Sequence, residues 1–549
     1  MKKIALLLFL SCGSIYSFAQ GTFSGDLMMN LNFFQRDSSI KASGNPLYNN
    51  YLSGSEGWLD LRYNIKGFTF FVRADAFNNS NLKNPTQANT AFGIGAWSVS
   101  KEMKDLTINV GYIYDQIGSG ILFRAYEDRG LLIDNALVGI SLKYKLTNNI
   151  SVKGFTGQQK ENNLSGNNNP LTVSQKYAPV IRAFEGDGDF NVGKVHLVPG
   201  VGVLNRTLDA VSYSTTEGAV PKDPVTGNGV FTPVYNMYAF TAFNTLTVGN
   251  FSWYAEGSYK TQEAIATPAD SIVNKPGNVE YTTIGYAQKG VAINLTGKRT
   301  DAYVMRTSYG EKLLDGMLNW QPIVARLRTQ RLISRYSPAS QDYSEMAGNA
   351  DVLLSPSEYV NYELTYCHIN TLDNVQLYRE GYAQAEYLKW EKWRLMGGGQ
   401  YLVYNTAVYL QHPGAPMLYA ETGFAEATYK FTSNKSLRFE AEYMNTKQDY
   451  GSWIFALIEY NLAPKWSVSA SDMYNIVPNK NSDNPNYDAT LHKVPNPSHY
   501  YNIYTAYTKG PNRFSIAYVK QVDGINCSGG VCRYEPAFSG VKATVTSSF

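Results

Sequence analysis

Apolar and polar side chains alternate along most of this chain with the period of two that is typical of half-buried β-strands. The stretch 58–65 alternates aliphatic and aromatic residues with Asp60, Arg62 and Asn64, and the stretch 68–76 repeats the pattern after Lys66-Gly67. No stretch after the N-terminus keeps helical spacing for more than about two turns. The sequence therefore predicts an all-β protein of strands and turns.

The polar face of the predicted strands carries charge. If Lys66-Gly67 forms a two-residue turn, Asp60 lies directly opposite Arg73, and we predict an ion pair between them. Further along, Arg438, Glu440 and Glu442 share one face of a single strand. Three charges on one face cannot line the dry core of a sandwich, whereas in a membrane barrel that face lines a wet lumen and the apolar face meets lipid.

The connections between the predicted strands alternate between short and long. Tight turns such as Lys66-Gly67 and Gly249-Asn250 alternate with long polar connections. We predict long loops at 79–90, 161–178, 207–233, 263–277, 407–416 and 477–496. This asymmetry is typical of outer-membrane barrels, with tight turns on the periplasmic side and long loops outside.

The fold class that follows is a transmembrane antiparallel up-and-down β-barrel. Chain length predicts about 22 to 24 strands, within a band of about 18 to 26, because single-chain bacterial barrels have even strand numbers. We expect residues 20–549 to form this one domain. The last residue, Phe549, shares strand parity with Val541, Ala543 and Val545, a pattern typical of the C-terminal signal that the barrel-assembly machinery reads.

The N-terminus reads as a secretory signal peptide. Lys2-Lys3 precedes an apolar stretch at 4–10, and Ser17 and Ala19 place small residues where signal peptidase reads, so we predict removal of residues 1–19. A formal net charge of +3 argues against a nucleic-acid partner. We expect the mature chain to reach the outer membrane of a Gram-negative bacterium and to contact its lipid and lipopolysaccharide.

Two of the four cysteines lie close together. Cys527 and Cys532 are separated by Ser-Gly-Gly-Val, a flexible spacing that can close a small disulfide ring. A metal half-site is the alternative, but no His or second cysteine pair accompanies them. We predict the disulfide and no metal site. Cys367 is read as a small residue of the barrel wall.

Residues 115–135 depart from the alternating pattern. Arg124, Glu127, Asp128, Arg129 and Asp134 are set among aliphatic residues, so the segment is neither a clean strand nor a plain solvated loop. One interpretation is a loop folded into the lumen, where these charges constrict a pore or contact a ligand. The other is an internal salt-bridge network that braces the barrel wall.

A basic ladder follows Asn319-Trp320-Gln321-Pro322. It consists of Arg326, Arg328, Arg331 and Arg335. These side chains could attract anionic solutes or lipopolysaccharide phosphates. Alternatively, they belong to a long strand and meet lumen carboxylates of its neighbours, which is the interpretation we favour. Acidic residues predicted to face the same lumen include Glu380, Glu386 and Glu440.

Catalytic chemistry has little support in the sequence. None of the five histidines lies in an arrangement with Ser or Asp that resembles a barrel lipase or protease. We therefore predict no catalytic residues, no enzymatic activity and no cofactor. Asp270-Ser271-Ile272 lies in a predicted outer loop and resembles an O-glycosylation sequon of exported proteins, with Ser271 as the acceptor.

Three stretches together resemble an uncharacterised family of Bacteroidota outer-membrane proteins known only as a domain of unknown function. They are 124–135, 319–322, and 527–533 followed by Pro536-Ala537-Phe538. The resemblance spans essentially the whole mature chain. It implies an outer-membrane location and a barrel, with no activity attached.

Two functions remain open at this point. The first is a porin-like channel for small polar solutes, which the charged lumen face favours. The second is a non-conducting structural or accessory subunit of an outer-membrane assembly, secretion or uptake complex, which long loops and internal charge networks favour. A soluble exported β-protein is a third and weaker alternative.

Overall fold

A computed structural model shows one antiparallel sheet that closes on itself as a barrel of 24 strands. The structure describes residues 21–85, 87–161, 176–267, 271–312, 314–477, 498–528 and 530–549. The all-β barrel predicted from the alternating pattern is confirmed, and the strand number lies inside the predicted range. The predicted signal peptide, residues 1–19, lies outside the described residues.

The barrel strands are numbered β1 to β24 in chain order. Their bounds are Thr22–Phe34, Ser53–Ile65, Phe68–Ser80, Asn89–Glu102, Leu106–Ile113, Leu137–Lys145, Ile150–Lys160, Lys176–Gly188 (continued by Phe190–Val192), Val195–Thr207, Asn236–Val248, Phe251–Ala266, Ile272–Gln288, Val291–Asp301, Glu345–Ser357, Val360–Thr371, Gln376–Tyr387, Trp393–Asn405, Met417–Thr432, Lys435–Thr446, Ser452–Leu462, Trp466–Val477, His499–Lys509, Asn512–Gln521 and Phe538–Ser548.

Shorter elements lie in the connections. Helix α1 spans Ala210–Ala219 and α2 spans Thr406–Tyr409. Single helical turns occupy Ser38–Ile40, Leu47–Tyr51 and Ile333–Arg335. Three small hairpins pair Gln116–Ile117 with Phe123–Arg124, Glu127–Asp128 with Ile133–Asp134, and Gly524–Ser528 with Val531–Glu535. Within the described ranges, no helix is long and apolar enough to cross a bilayer.

The barrel closes between its first and last strands. β1 pairs with β24 from Asp26 opposite Ser548 to Phe34 opposite Gly540. Beyond this ladder, Gly25 and Phe549 exchange two backbone hydrogen bonds, of 2.8 and 2.9 Å. The terminal residue is therefore built into the wall. Its role as an assembly signal stays a prediction.

The two ends of the barrel differ in their connections. Tight turns, including Lys66-Gly67 and Gly249-Asn250, lie at one end together with the start of β1 and the end of β24, and this is called the short-turn end. The longer connections lie at the opposite loop end. The prediction of a long loop at 263–277 is wrong, because β11 and β12 pair up to Ala266 opposite Ile272. Most of 161–178 and 477–496 lies outside the described residues.

The wall separates apolar from charged side chains. Large hydrophobic side chains such as Phe92, Val201 and Ile503 are exposed on the outer face. Arg73 and Glu380, by contrast, point inward and are buried. Charges that face inward become buried only if something fills the lumen next to them, and three loops do so.

Candidate functional site: the occupied lumen

Three loops of the loop end fold back into the barrel. The first inserted segment is 114–136, between β5 and β6, and the second is 302–344, between β13 and β14. The third is the disulfide hairpin, Gly524–Glu535, between β23 and β24. Together they are called the plug. The predicted interpretation of 115–135 as a loop within the lumen matches this placement.

The apolar half of the first inserted segment packs on the wall formed by β7 to β12. Ile117, Leu122 and Phe123 are fully buried there, and the Phe123 ring lies 4.8 Å from that of Phe155. The wall makes room with Gly202, because a Cβ at this position would lie 2.7 Å from the Ile117 side chain. A dry, close-packed contact of this kind leaves no water path between segment and wall.

Buried wall carboxylates bind the backbone of the same segment. The Ser119 N–H donates to Glu256 Oε2 over 3.0 Å, and the Gly118 N–H donates to Glu185 Oε1 over 3.4 Å. Glu256 is only 3% exposed and also accepts a hydrogen bond from the Thr241 hydroxyl at 2.9 Å. A buried carboxylate is tolerated when its oxygens are satisfied by such donors.

The charged half of the segment completes a buried ion cluster with β3 and β7. Arg73 is 2% exposed and donates to Asp75 at 2.7 Å and to Asp134 at 2.5 Å. Lys160 also binds Asp134, and the Tyr114 hydroxyl donates to Asp134 Oδ1 at 2.8 Å. Asp134 thus receives three donors from the segment and from two wall strands. Removing one member of such a cluster leaves an uncompensated buried charge.

The register predicted from the Lys66-Gly67 turn is confirmed, with Asp60 directly opposite Arg73. The predicted ion pair between them is redirected, however. Arg73 turns to Asp75 and Asp134, while Asp60 accepts from Arg129 Nη2 at 2.9 Å. The reason is that the inserted segment supplies a stronger partner to each wall residue than the opposite strand does.

The remaining predicted constriction residues have separate partners. Glu127 accepts from Arg129 Nε at 2.6 Å and lies 3.1 Å from Arg73 Nη1. Asp128 Oδ1 accepts the Leu131 N–H at 3.0 Å and so closes a turn. The Arg124 guanidinium lies over two aromatic rings and not beside a carboxylate. Its Cζ is 4.5 Å from the ring centres of both Tyr126 and Trp320.

Several groups of the segment have shifted pKa values, among them Asp134 and Tyr126. Burial opposes ionisation of Asp134, but Lys160 and Arg73 outweigh it and hold the pKa of that carboxyl below its ordinary value. Burial raises the pKa of the Tyr126 hydroxyl to about 12. Asp134 therefore stays a carboxylate at neutral pH.

The basic ladder belongs to the second inserted segment. The long strand expected over 319–335 is absent, since these residues form no strand and only Ile333–Arg335 makes a helical turn. The favoured contact with neighbouring carboxylates is nevertheless present for two of the arginines. Arg326 lies 3.2 Å from Glu363, and Arg328 also binds Glu363 while its Cζ lies 3.7 Å from the Tyr382 ring centre.

The other two arginines of the ladder bind the wall differently. The backbone N–H groups of Arg331 and Leu332 donate to Glu442, at 2.7 and 2.9 Å. The half-buried Arg335 guanidinium lies against aromatic rings, 4.8 Å from the Trp453 ring centre and 5.0 Å from that of Tyr450. The side chains of Arg328 and Arg335 and the backbone of Arg331 thus hold the segment on the wall, while the Arg326 and Arg331 side chains are exposed.

The three inserted elements meet in the middle of the barrel. The Arg124 N–H donates to the Leu318 carbonyl and the Trp320 N–H donates to the Gly120 carbonyl, both at 3.0 Å. Leu131 and Ile133 of the first segment pack with Met317 of the second and with Val531 of the hairpin. The predicted disulfide between Cys527 and Cys532 closes that hairpin.

Sequence analysis did not identify several residues of this junction. Asn135 is 4% exposed, and its side chain donates to the carbonyls of Arg124 and Met317, at 2.9 and 3.1 Å. Glu256 and Glu442 were not assigned as anchors of inserted backbone either. An amide next to a run of aliphatic residues is the signal that could have pointed to Asn135. For the glutamates no local signal exists, because their partners are distant in sequence.

Other predicted features lie elsewhere. Ser271, the predicted glycosylation acceptor, is exposed at the β11–β12 tip and lies 2.7 Å from the Thr267 hydroxyl, while Asp270 lies outside the described residues. Within the described ranges, no group of three or more His, Cys, Asp or Glu side chains is placed to hold a metal ion.

The model of a protein family of unknown function, DUF6029, matches residues 1–395 and 358–549 of the chain. The chain belongs to this family. A search of curated proteins with the sequence found no match.

Solved structures similar in fold to this family member are outer-membrane barrels. A mutant of the ferric enterobactin receptor of Pseudomonas aeruginosa is 9% identical, with a TM-score of 0.42 over 97% of this chain and 81% of that one. The siderophore receptor PirA of the same organism is 8% identical, with a TM-score of 0.41 and the same coverage. The P pilus usher PapC translocation pore is 8% identical, with a TM-score of 0.40 over 96% and 99%.

The barrel with its exposed apolar belt is of the outer-membrane type. The charged residues found by the sequence analysis are gathered inside it, where they hold inserted loops. This arrangement of the lumen is the candidate functional site.

Proposed function

We propose that this protein is a non-enzymatic outer-membrane barrel that passes no solute in its resting state and serves as a structural or accessory subunit of a larger outer-membrane assembly. The observation that carries the proposal is the junction across the lumen, where Trp320 and Arg124 hydrogen-bond to the opposite inserted segment. A porin needs an open aqueous path, and the plug occupies that path.

The plug reaches the wall around most of the circumference. The first inserted segment binds β2, β3, β7, β8 and β11 through Asp60, Arg73, Lys160, Glu185 and Glu256. The second binds β15 and β19 through Glu363 and Glu442. Opposite walls are thereby joined through the middle, which supports a sealed and stiff barrel whose exposed loops are available to partners.

A porin-like channel for small polar solutes is the second candidate, and one observation favours it. Near the short-turn end, Arg394 and Arg438 face the lumen with side chains 41% and 30% exposed, and both bind Glu426. This charged vestibule is open to water on its own side. It would line a conduction path if the plug moved aside.

Conductance of the refolded full chain in a planar bilayer distinguishes the two candidates. The proposal expects no steady openings from the wild-type chain and large openings after deletion of residues 118–130, which removes the first segment's contacts with Glu185, Glu256 and the second inserted segment. A deletion of 223–228, in the exposed loop after α1, is the matched control and should stay silent. Steady wild-type conductance to sugars or ions would favour the channel instead.

Recovery of partners tests the accessory role separately. Extraction of the tagged full chain in a gentle detergent should bring other outer-membrane proteins with it in fixed proportion. A silent barrel that is recovered only as a single chain would contradict the accessory role while leaving the sealed lumen in place.

A further inference from the structure

The outer face of β17 to β22 carries a cavity of about 910 Å³ that the occupied lumen does not explain. Its floor is a line of small residues in direct register across neighbouring strands. Gly397 is opposite Ala425, Ala425 is opposite Ala441, and Ala441 is opposite Ala456. This line of small residues is a depression in the surface that lipid contacts.

Large residues border the floor on both sides. Leu395, Phe439 and Ile458 stand on the side of the short-turn end, and Tyr443 and Ile454 on the side of the loop end. Each border lies two residues along the strand from the floor, or about 7 Å. An extended hydrocarbon chain is narrow enough to lie between the two borders and contact the alanines.

The floor ends sideways, at a polar pair on β21 and β22. Ala456 is opposite Asp472, and Asp472 Oδ2 lies 2.6 Å from Nδ1 of His499, the first residue of β22. The ring of Tyr474 stacks on His499 with centroids 4.4 Å apart. The neighbours Met473 and Asn475 are buried on the opposite face, which places Asp472 on the lipid side of the wall.

The second oxygen of this carboxylate has no partner. The Asp472 side chain is 42% exposed, and its Oδ1 atom accepts no hydrogen bond from any described residue. An unsatisfied acceptor at the edge of an apolar cavity is costly unless a ligand supplies a donor. A carboxylate on the lipid face favours a donor that is positively charged.

We propose that this cavity binds one acyl chain of a membrane lipid whose headgroup carries an ammonium group, with the ammonium nitrogen bound by Asp472. The chain lies over Ala425, Ala441 and Ala456 and so runs across the strands, away from Asp472. This inference goes beyond the proposed function and does not depend on it, since the site is on the outer face and the plug is within.

Native mass spectrometry of the full-length barrel, released from detergent, tests the site with two lipids of identical acyl chains. The probes are phosphatidylethanolamine, which has an ammonium group, and phosphatidylglycerol, which has none. Wild type should retain one phosphatidylethanolamine and bind it about tenfold more tightly than phosphatidylglycerol, as one charge-assisted hydrogen bond allows. Asp472→Asn should remove that preference while an acyl chain still binds.

Filling the floor should remove the lipid altogether. Ala441→Phe is expected to abolish retention of both lipids, whereas Ala383→Phe, on the exposed outer face of β16 and outside the cavity, should not change it. Heat modifiability on gels shows whether each variant is a folded barrel. If Ala441→Phe does not fold, Ala456→Leu fills the same floor with a smaller side chain.

Three results would overturn the proposal. The first is equal retention by wild type and a folded floor variant. The second is a wild-type preference that survives Asp472→Asn, because the carboxylate would then have no part in it. The third is a second copy of the chain, or another protein, that is recovered with wild type and lost from Ala441→Phe. The cavity would then be a protein interface.

Discussion

The backbone N–H of Trp320 donates to the carbonyl oxygen of Gly120 over 3.0 Å, although 200 residues of chain separate the two. Gly120 adopts a positive φ of 102°, which a side chain would strain, and this exposes its carbonyl to the second inserted segment. The Trp320 indole then covers the Arg124 guanidinium from the same side. This contact joins the two halves of the plug.

Replacing Trp320 by Ala should loosen the junction without unfolding the barrel. The variant keeps the backbone hydrogen bond but loses the contact with Arg124, which contributes about 1 kcal/mol. We expect amide hydrogen exchange in 118–125 to rise about fivefold, while exchange in the wall strands is unchanged. Trp390→Ala, at an exposed position of the short-turn end, is the control. Unchanged exchange in 118–125 would mean that Trp320 does not secure the plug.

Breaking the buried ion cluster should strongly destabilise the folded protein. Arg73→Ala leaves Asp75 without its main cation and Asp134 with Lys160 alone, so we expect a loss of about 3 to 5 kcal/mol in the free energy of unfolding by urea from lipid vesicles. Arg62→Ala is matched to it, because Arg62 lies on the adjacent strand and pairs with Asp26 at 2.8 Å while 40% exposed. That exposed pair should contribute less than about 1 kcal/mol. Similar losses for both variants would contradict the cluster's structural role.

Acid should release the first inserted segment. The folded-state pKa of Asp134 is below its ordinary value, so the ionised group stabilises the folded plug above the unfolded-state pKa of about 3.9. This contribution is lost as pH falls from about 5 through the folded pKa. The protection of 118–134 against hydrogen exchange, relative to the intrinsic rate at each pH, should therefore fall in acid for wild type. This loss of protection should be weaker for Asp134→Asn and preserved for Asp128→Asn.

The disulfide prediction can be tested on the unreduced C-terminal peptide. Mass spectrometry should find that the peptide containing Cys527 and Cys532 is two hydrogens lighter than its reduced form. Cys527→Ser should lower stability by about 2 kcal/mol, because the closed ring restricts the unfolded chain. A reductant should lower wild-type stability by the same amount and leave the variant unchanged. Free thiols in the isolated protein would refute the bridge.

How far the sequence predicts this molecule depends on where each interaction is encoded. Strands and turns are local, so alternation and the Lys66-Gly67 turn were enough to place Asp60 opposite Arg73. The strand count of 24 lies at the upper value of the prediction. The tip of β11 and β12 was read as a loop because polar residues such as Asn274 and Lys275 are also compatible with strands that extend beyond the membrane.

The lumen was harder to predict because its contacts are not local. The choice of Arg73 between Asp60 and Asp134 depends on a segment about 60 residues away, which no period reveals. The spacing of the basic ladder suggested a strand, yet Arg331 binds the wall through its backbone and Arg335 through aromatic rings. Composition identified both segments as unusual. Only the three-dimensional structure shows that they join each other.

Each inserted segment is attached to the wall at both of its ends. The second one leaves β13 after Asp301 and re-enters the sheet at Glu345, so it is a loop of the barrel and not a separable domain. It cannot be pulled out through the short-turn end, as a plug fixed at a single end could be. A solute could therefore cross this barrel only after the tethered loops had moved. They could shift sideways within the lumen or withdraw toward the loop end.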